Sequence, residues 1–326
     1  MEKNLSKKHK RLSGVLRNAE RIKIDNHSRL ILFSDIHRGD NSWADEFSGN
    51  QSIYAYALDH YFRERYTYIE VGDGDELMKN SSPKFLQGAH FGIYQILRDF
   101  YLEGRFYYIN GNHDILYKNP EYAAMHLSTI HNPRTSQVEI LFPGITIHEG
   151  LLLEHMPSGG KILVTHGHQG ELMNDRIWRL SRFLLRYLWR PLQMIGIRNP
   201  FRVSHNPDIR RDVETELIDW SKKNNQPLLC GHTHCAYLSK PGETAYFNTG
   251  CCVHPLWITG IEINQGMVML IRWSVKPNQR GSLCIQREIL AGPEALEGFF
   301  PGYRVSLDCS QNQVNPVEAA FLSWYS

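Results

Sequence analysis

Five short apolar runs along this 326-residue chain each close on a cluster of Asp, Asn or His beside glycine or serine, and this repetition constrains the fold more than any other feature. The runs are RLILFSD, YTYIEVGD, RFYYINGNHD, KILVTHGH and PLLCGHTH. β-branched, aromatic and aliphatic residues fill them, and the polar residues come only where each run ends. Helical stretches over 51–65 and 83–102 separate the first three runs, which predicts βαβ units feeding a largely parallel sheet. In such sheets loops converge beyond the carboxyl ends of the strands, so the polar clusters are expected to share one space.

The second half changes character. VEILF, ITIHEG, LLLEH, TAYFNTGCC, WITGIEI, MVMLIRW and SLCIQREIL are short strands joined by turns, and they predict a second, more antiparallel sheet. One helix is expected over 211–223. The organisation predicted is a basic N-terminal extension (1–28), a main α/β (α+β) domain (29–300) carrying an insertion (171–210), and a C-terminal tail (301–326). Residues 1–23 hold eight Lys or Arg against two acids, and 171–210 hold eight Arg against three acids, so the remaining body is acidic despite a formal charge of +2.

With 42% hydrophobic and 21% charged residues, the composition excludes a disordered or fibrous chain. The opening residues lack the apolar run of a secretory signal, and no stretch approaches the 18 uninterrupted apolar residues of a membrane span. A cytoplasmic protein is expected. The six cysteines make no disulfide scaffold in a chain this long, and C-x4-C around His232 and His234 is not a zinc-finger spacing, so reduced core thiols are expected.

The strand-end residues are Asp35 and His37; Asp73 with Asp75 and Glu76; Asn112, His113 and Asp114; His166 and His168; and His232 and His234. Any one alone is more often a hydrogen-bonded structural residue than a ligand. The ordered set of five is different, since oxygen and imidazole donors without thiolate suit Mn, Fe or Zn and outnumber what one ion needs.

These blocks resemble the calcineurin-like metallophosphoesterases, whose pattern runs D-x-H, G-D-x-x-(D/E), G-N-H-(D/E), a lone His and G-H-x-H. FNTGCC is similar to the turn that commonly follows the last motif. The resemblance implies a two-sheet sandwich flanked by helices, with two divalent metal ions, Mn²⁺ in the first place and Fe or Zn as alternatives. It implies that Asp35, His37, Asp73 and His234 hold one ion and that Asp73, Asn112, His166 and His232 hold the other. A metal-bridging hydroxide would then attack a phosphodiester or pyrophosphate bond. His113 would protonate the leaving oxygen, oriented by Glu76, Asp75 or Asp114, between which the sequence does not choose.

Within the insertion, Ile177, Leu180, Leu184 and Leu188 share one helical face and Arg179, Arg182, Arg186 and Arg190 form a stripe beside it. This basic amphipathic helix is expected to be a lid, with Arg176, Arg179 and Arg182 meeting substrate phosphates; a solvated face packed on the core has equal weight. The layout resembles the UDP-2,3-diacylglucosamine pyrophosphohydrolase branch, which implies a nucleotide- or lipid-linked substrate and peripheral contact with the inner membrane face through 171–210. His113 departs from that branch, which commonly has Arg there. A phosphomonoesterase and a nuclease are the alternatives, the latter disfavoured by the acidic body, and a non-catalytic scaffold is disfavoured by the complete ligand set.

Overall fold

The computed structural model describes residues 2–170 and 207–300. Most of the insertion, with Arg176, Arg179 and Arg182, lies outside the described residues, as does the tail over 301–326. The described helices are α1 (Glu2–Asn18), α2 (Gln51–Arg63), α3 (Pro83–Ala89), α4 (Phe91–Leu102), α5 (Pro120–Leu127) and α6 (Pro207–Asn224). The strands of the first half are β1 (Glu20–Ile24), β2 (Leu30–Phe33), β3 (Thr67–Val71), β4 (Phe106–Ile109), β5 (Thr129–His131), β6 (Val138–Ile140), β7 (Ile147–His148) and β8 (Gly150–His155). They are followed by β9 (Lys161–Thr165), β10 (Leu228–Cys230), β11 (Tyr237–Leu238), β12 (Tyr246–Asn248), β13 (Trp257–Asn264), β14 (Met267–Pro277) and β15 (Leu283–Ala295).

Two large sheets result, ordered β15-β14-β13-β2-β3-β4-β7 and β1-β8-β9-β10-β12-β11, with β5 and β6 forming a separate ribbon. Side chains of β2 alternate between two apolar layers: Leu30 and Leu32 meet Leu151, Leu153, Val164 and Phe247 between the sheets, while Ile31 and Phe33 face Tyr54 and Tyr61 of α2. Strands buried on both faces read as continuous apolar runs, which is why LILF is buried throughout. On the outer face of the second sheet, α1 and α6 pack Leu12, Val15, Leu217 and Trp220 against Leu152 and Leu163. The fold is the mixed α/β sandwich flanked by helices.

Three expectations are corrected. The antiparallel strands of the second half do not make their own sheet: β13, β14 and β15 extend the first sheet through the antiparallel pairing of β13 with β2. The second sheet instead holds three parallel pairings, β1 with β8, β9 with β10 and β10 with β12. The basic N-terminal segment is therefore no appendage, since β1 supplies an edge strand and α1 covers the sheet. The helix predicted over 83–102 is broken at His90, whose backbone leaves helical angles (φ −117°, ψ 30°) and whose ring meets Asp45 (Nε2 to Oδ2, 3.1 Å) and packs against Phe47.

Candidate metal centre

Each cluster leaves the carboxyl end of a different strand: Asp35 and His37 follow β2, Asp73 follows β3, Asn112 and His113 follow β4, His166 follows β9, and His232 and His234 follow β10. Five of these residues have positive φ: Asp35 (52°), His37 (52°), Asp73 (54°), His232 (69°) and His234 (57°). That left-handed region costs energy for any residue with a Cβ, although Asp and His are among those that enter it. Such strain persists only where surrounding contacts over-determine it, and it concentrates at functional sites. The glycines serve close approach. Gly72 has φ of 80° and a Cβ there would come 2.5 Å from His166 Nδ1, while a Cβ at Gly111 would overlap Asp73 Oδ1.

Main-chain donors orient both aspartates. His232 N–H donates to Asp35 Oδ2 (2.8 Å), which also accepts the Ser34 hydroxyl, and His113 N–H donates to Asp73 Oδ1 (2.8 Å). The other oxygen of each turns inward. Asp35 Oδ1 lies 3.1 Å from His234 Nε2, and Asp73 Oδ2 lies 3.3 Å from His166 Nε2 and 3.8 Å from His37 Nε2. Ligand atoms of Asp35, His37 and His234 fall within 4.8 Å of one another, as do those of Asp73, His166 and His232. A third such group is His37, Glu76 and His113.

The donor set fits divalent ions. His166 Nδ1 donates to the Val71 carbonyl (2.9 Å), so in the neutral ring Nε2 carries the lone pair, the tautomer a metal-binding histidine needs. His166 Nε2 and Asp35 Oδ1 are buried, and the nearest ionisable atom to each is another ligand candidate, Asp73 Oδ2 and His234 Nε2 respectively. Burial alone would raise both carboxyls. His234 and His166 around Asp35, and His166 and His113 around Asp73, outweigh it and hold the two acids below the usual carboxylate range. Conversely, burial disfavours charge on His166 and His234, yet Asp73 and Asp35 raise them to about 9 and about 10.

The carboxylates near His113 separate by geometry. Both oxygens of Glu76 lie 2.9 Å from His113 Nδ1. Asp75 instead accepts from Arg38 Nε (2.8 Å) and from the hydroxyls of Tyr94 and Tyr117 (2.6 Å each). Asp114 accepts the Gly111 and Gly74 amides (2.6 and 2.8 Å) and the Tyr108 hydroxyl (2.9 Å), and burial together with the charge of Asp73 pushes it up to about 7. Asn112 is buried in the same turn as His113. His168 is buried with its ring 5.4 Å from that of His166, outside the three groups.

Several residues here escape a strand-end reading. Ser34 and Thr249 hydroxyls meet at 2.6 Å behind Asp35, and Asn248 Nδ2 donates to Gly231 O (2.9 Å) and Thr233 Oγ1 (3.0 Å), so the FNTG turn braces the GHTH loop. Arg38 was missed altogether. Its signal was Glu70, a charge inside an apolar strand that a sheet buried on both faces can hold only with a partner. Cys230, Cys251 and Cys252 are buried free thiols and Cys235 and Cys284 are partly buried, while no cysteine joins the three metal-ligand groups among the described residues.

A family model, that of the calcineurin-like phosphoesterases, matches residues 28–236, more than half of the chain. The chain belongs to that family. The match is to calcineurin-like phosphoesterases as a whole and not to the UDP-2,3-diacylglucosamine pyrophosphohydrolase branch in particular. A search of curated proteins found no match. Solved structures similar to this chain include a predicted phosphoesterase from Streptococcus pneumoniae TIGR4 (14% identity, TM-score 0.33, covering 80% of this chain and 97% of that one). Vps29 from Entamoeba histolytica, complexed with Zn²⁺, is 15% identical with a TM-score of 0.37, covering 80% of this chain and 98% of that one. A putative 5′-nucleotidase from Staphylococcus aureus is 15% identical with a TM-score of 0.33, covering 80% of this chain and 53% of that one. No described helix of the chain is long and apolar enough to cross a membrane.

Proposed function

We propose that this family member is a hydrolase that holds two divalent ions and cleaves a phosphodiester or pyrophosphate bond. Asp35, His37, Asp73 and His234 would hold one ion, and Asp73, Asn112, His166 and His232 the other, with Mn²⁺ the first metal to try. One observation carries the reading: Asp73 Oδ2 faces both groups, 3.3 Å from His166 and 3.8 Å from His37. The ions would supply Lewis acidity to phosphoryl oxygens and acidify a water. His113 would give the proton at Nε2 to the leaving oxygen, because Glu76 engages Nδ1 and favours the imidazolium. Asp75 and Asp114 are engaged elsewhere and have no part in that transfer. The substrate proposed is a phosphorylated small molecule or lipid-linked pyrophosphate, with Arg176, Arg179 and Arg182 meeting its phosphates at the inner membrane face.

The test is hydrolysis of bis-p-nitrophenyl phosphate and of p-nitrophenyl phosphate by chelator-stripped protein, with and without restored Mn²⁺. Metal-dependent cleavage of the diester supports the proposal. Cleavage of the monoester alone replaces it with a phosphomonoesterase, and bound metal without cleavage of either favours a non-catalytic scaffold.

A further inference from the structure

Arg38 directly follows His37, yet its guanidinium turns away from the candidate metal centre. Only 1% of Arg38 is exposed. Nη1 and Nη2 fork onto the two oxygens of Glu70 (2.8 and 2.6 Å), and Nε donates to Asp75 Oδ1 (2.8 Å). Each acceptor is completed by tyrosines: Glu70 Oε2 takes the hydroxyls of Tyr68 (2.9 Å) and Tyr54 (3.4 Å), and Asp75 takes those of Tyr94 and Tyr117. Tyr94 also presents its ring to the guanidinium, 5.2 Å from centroid to Cζ. A buried charge is tolerable only when its partners are this complete.

The two acids belong to the strand and loop that carry Asp73. Glu70 precedes it by three residues in β3, and Asp75 sits between it and Glu76. The main chain repeats the link, since His37 N–H donates to Asp73 O (2.8 Å), Arg38 N–H to Gly74 O (2.9 Å) and Glu76 N–H to Arg38 O (3.0 Å). The loops after β2 and β3 thus run on as a parallel pair past the ends of their strands, with Arg38 and Asp75 bridged. On the opposite side of the same pair, His37 Nδ1 lies 3.5 Å from Glu76 Oε2.

We infer that Arg38 is a positioning residue that sets the separation between His37 and the Asp73–Glu76 loop, and through it the spacing of the two proposed metal half-sites. The inference rests on the reading that these loops carry metal ligands. A planar guanidinium makes the three bonds at fixed angles; lysine keeps the charge but cannot reproduce the fork. Misplacing ligands in this way weakens metal binding and turnover without touching substrate contacts.

The test measures Mn²⁺ affinity by titration calorimetry, kcat, KM and Tm for the wild type, Arg38→Lys, Tyr94→Phe and Tyr117→Phe. Arg38→Lys is expected to stay folded, to bind Mn²⁺ roughly 10- to 100-fold more weakly and to lose a similar factor in kcat. Its KM should stay within about threefold of the wild type. The tyrosine variants should show the same pattern at a smaller scale. A lowered Tm with Mn²⁺ affinity and kcat unchanged would overturn the inference, leaving Arg38 a purely structural residue. If Arg38→Lys does not fold, wild-type Mn²⁺ affinity in both tyrosine variants overturns it equally. Should the wild type bind Mn²⁺ but hydrolyse nothing, the proposed activity fails, and the Mn²⁺ affinities still decide the role of Arg38.

Discussion

The two sheets hold their halves of the centre in different ways. Loops from the first sheet, after β2 and β3, are tied from beneath by one guanidinium and two carboxylates, all buried. Loops from the second sheet, after β9 and β10, are braced mainly by neutral groups: Gly231 N–H on His166 O (3.1 Å), Thr249 N–H on Cys230 O (3.0 Å) and the Asn248 amide on Gly231 and Thr233. The two sides differ in kind. Arg38 is held between Glu70 and Asp75, so a planar, charged and fully partnered set fixes the loops that present Asp35, Asp73 and Glu76. The second side presents His166, His232 and His234 from loops whose main braces are uncharged. Removing one partner of a buried charged set costs about 3–5 kcal/mol, against about 1–3 kcal/mol for an unsatisfied neutral group.

The contrast can be broken at several points. Asp73→Ala removes the carboxylate that faces both groups and should lower kcat by more than about 10³-fold with the far-UV circular dichroism unchanged. Near wild-type turnover would end the two-ion reading. His113→Ala should cost about 10²- to 10⁴-fold in kcat and leave Mn²⁺ binding intact, because its ring is proposed to handle a proton and not an ion; lost Mn²⁺ affinity would instead make His37, Glu76 and His113 a metal site. On the neutral side, Asn248→Ala leaves Gly231 O and Thr233 short of a donor and should lower unfolding free energy by about 1–3 kcal/mol in urea titrations. A larger loss than that of Arg38→Lys would reverse the ranking of the two braces.

The smallest effect concerns protons. In the metal-free centre His166 and His234 titrate near 9 and near 10, above the ordinary 6.5, so both carry protons at neutral pH. An incoming ion must displace them, and Mn²⁺ affinity is expected to fall as pH drops below these values, with proton release measurable by calorimetry in buffers of different ionisation enthalpy. The stability of the metal-free protein runs the other way. A raised folded-state pKa contributes stability that is complete below about 6.5 and fades as pH rises towards 9 and 10. Release of no protons on Mn²⁺ binding would mean that both histidines are already neutral in the metal-free centre.

The chain was legible where its signals are local. Asp35, Asp73, His166 and His232 are found at strand ends because an apolar run with a glycine-bearing terminator specifies both a strand and its exit. Less legible were α1 and β1, read as a basic extension; among their described residues the apolar Leu12, Val15 and Ile24 are buried, interspersed with Lys and Arg so that they do not stand out in the sequence. The break at His90 was also missed: it lies between Gly88 and Gly92, and the His90 ring reaches Asp45, 45 residues away.

By itself, then, the sequence determined the strands, their polar endings and the chemistry those endings carry, since each depends on neighbours within a few residues. Which strands pair was a tertiary decision: β13 joins β2 rather than a sheet of its own because burial of both faces is decided by the whole sandwich. So was the choice among three acids. Asp75 and Glu76 are adjacent, yet successive side chains of an extended loop point to opposite sides, so one meets Arg38 below while the other meets His113 above.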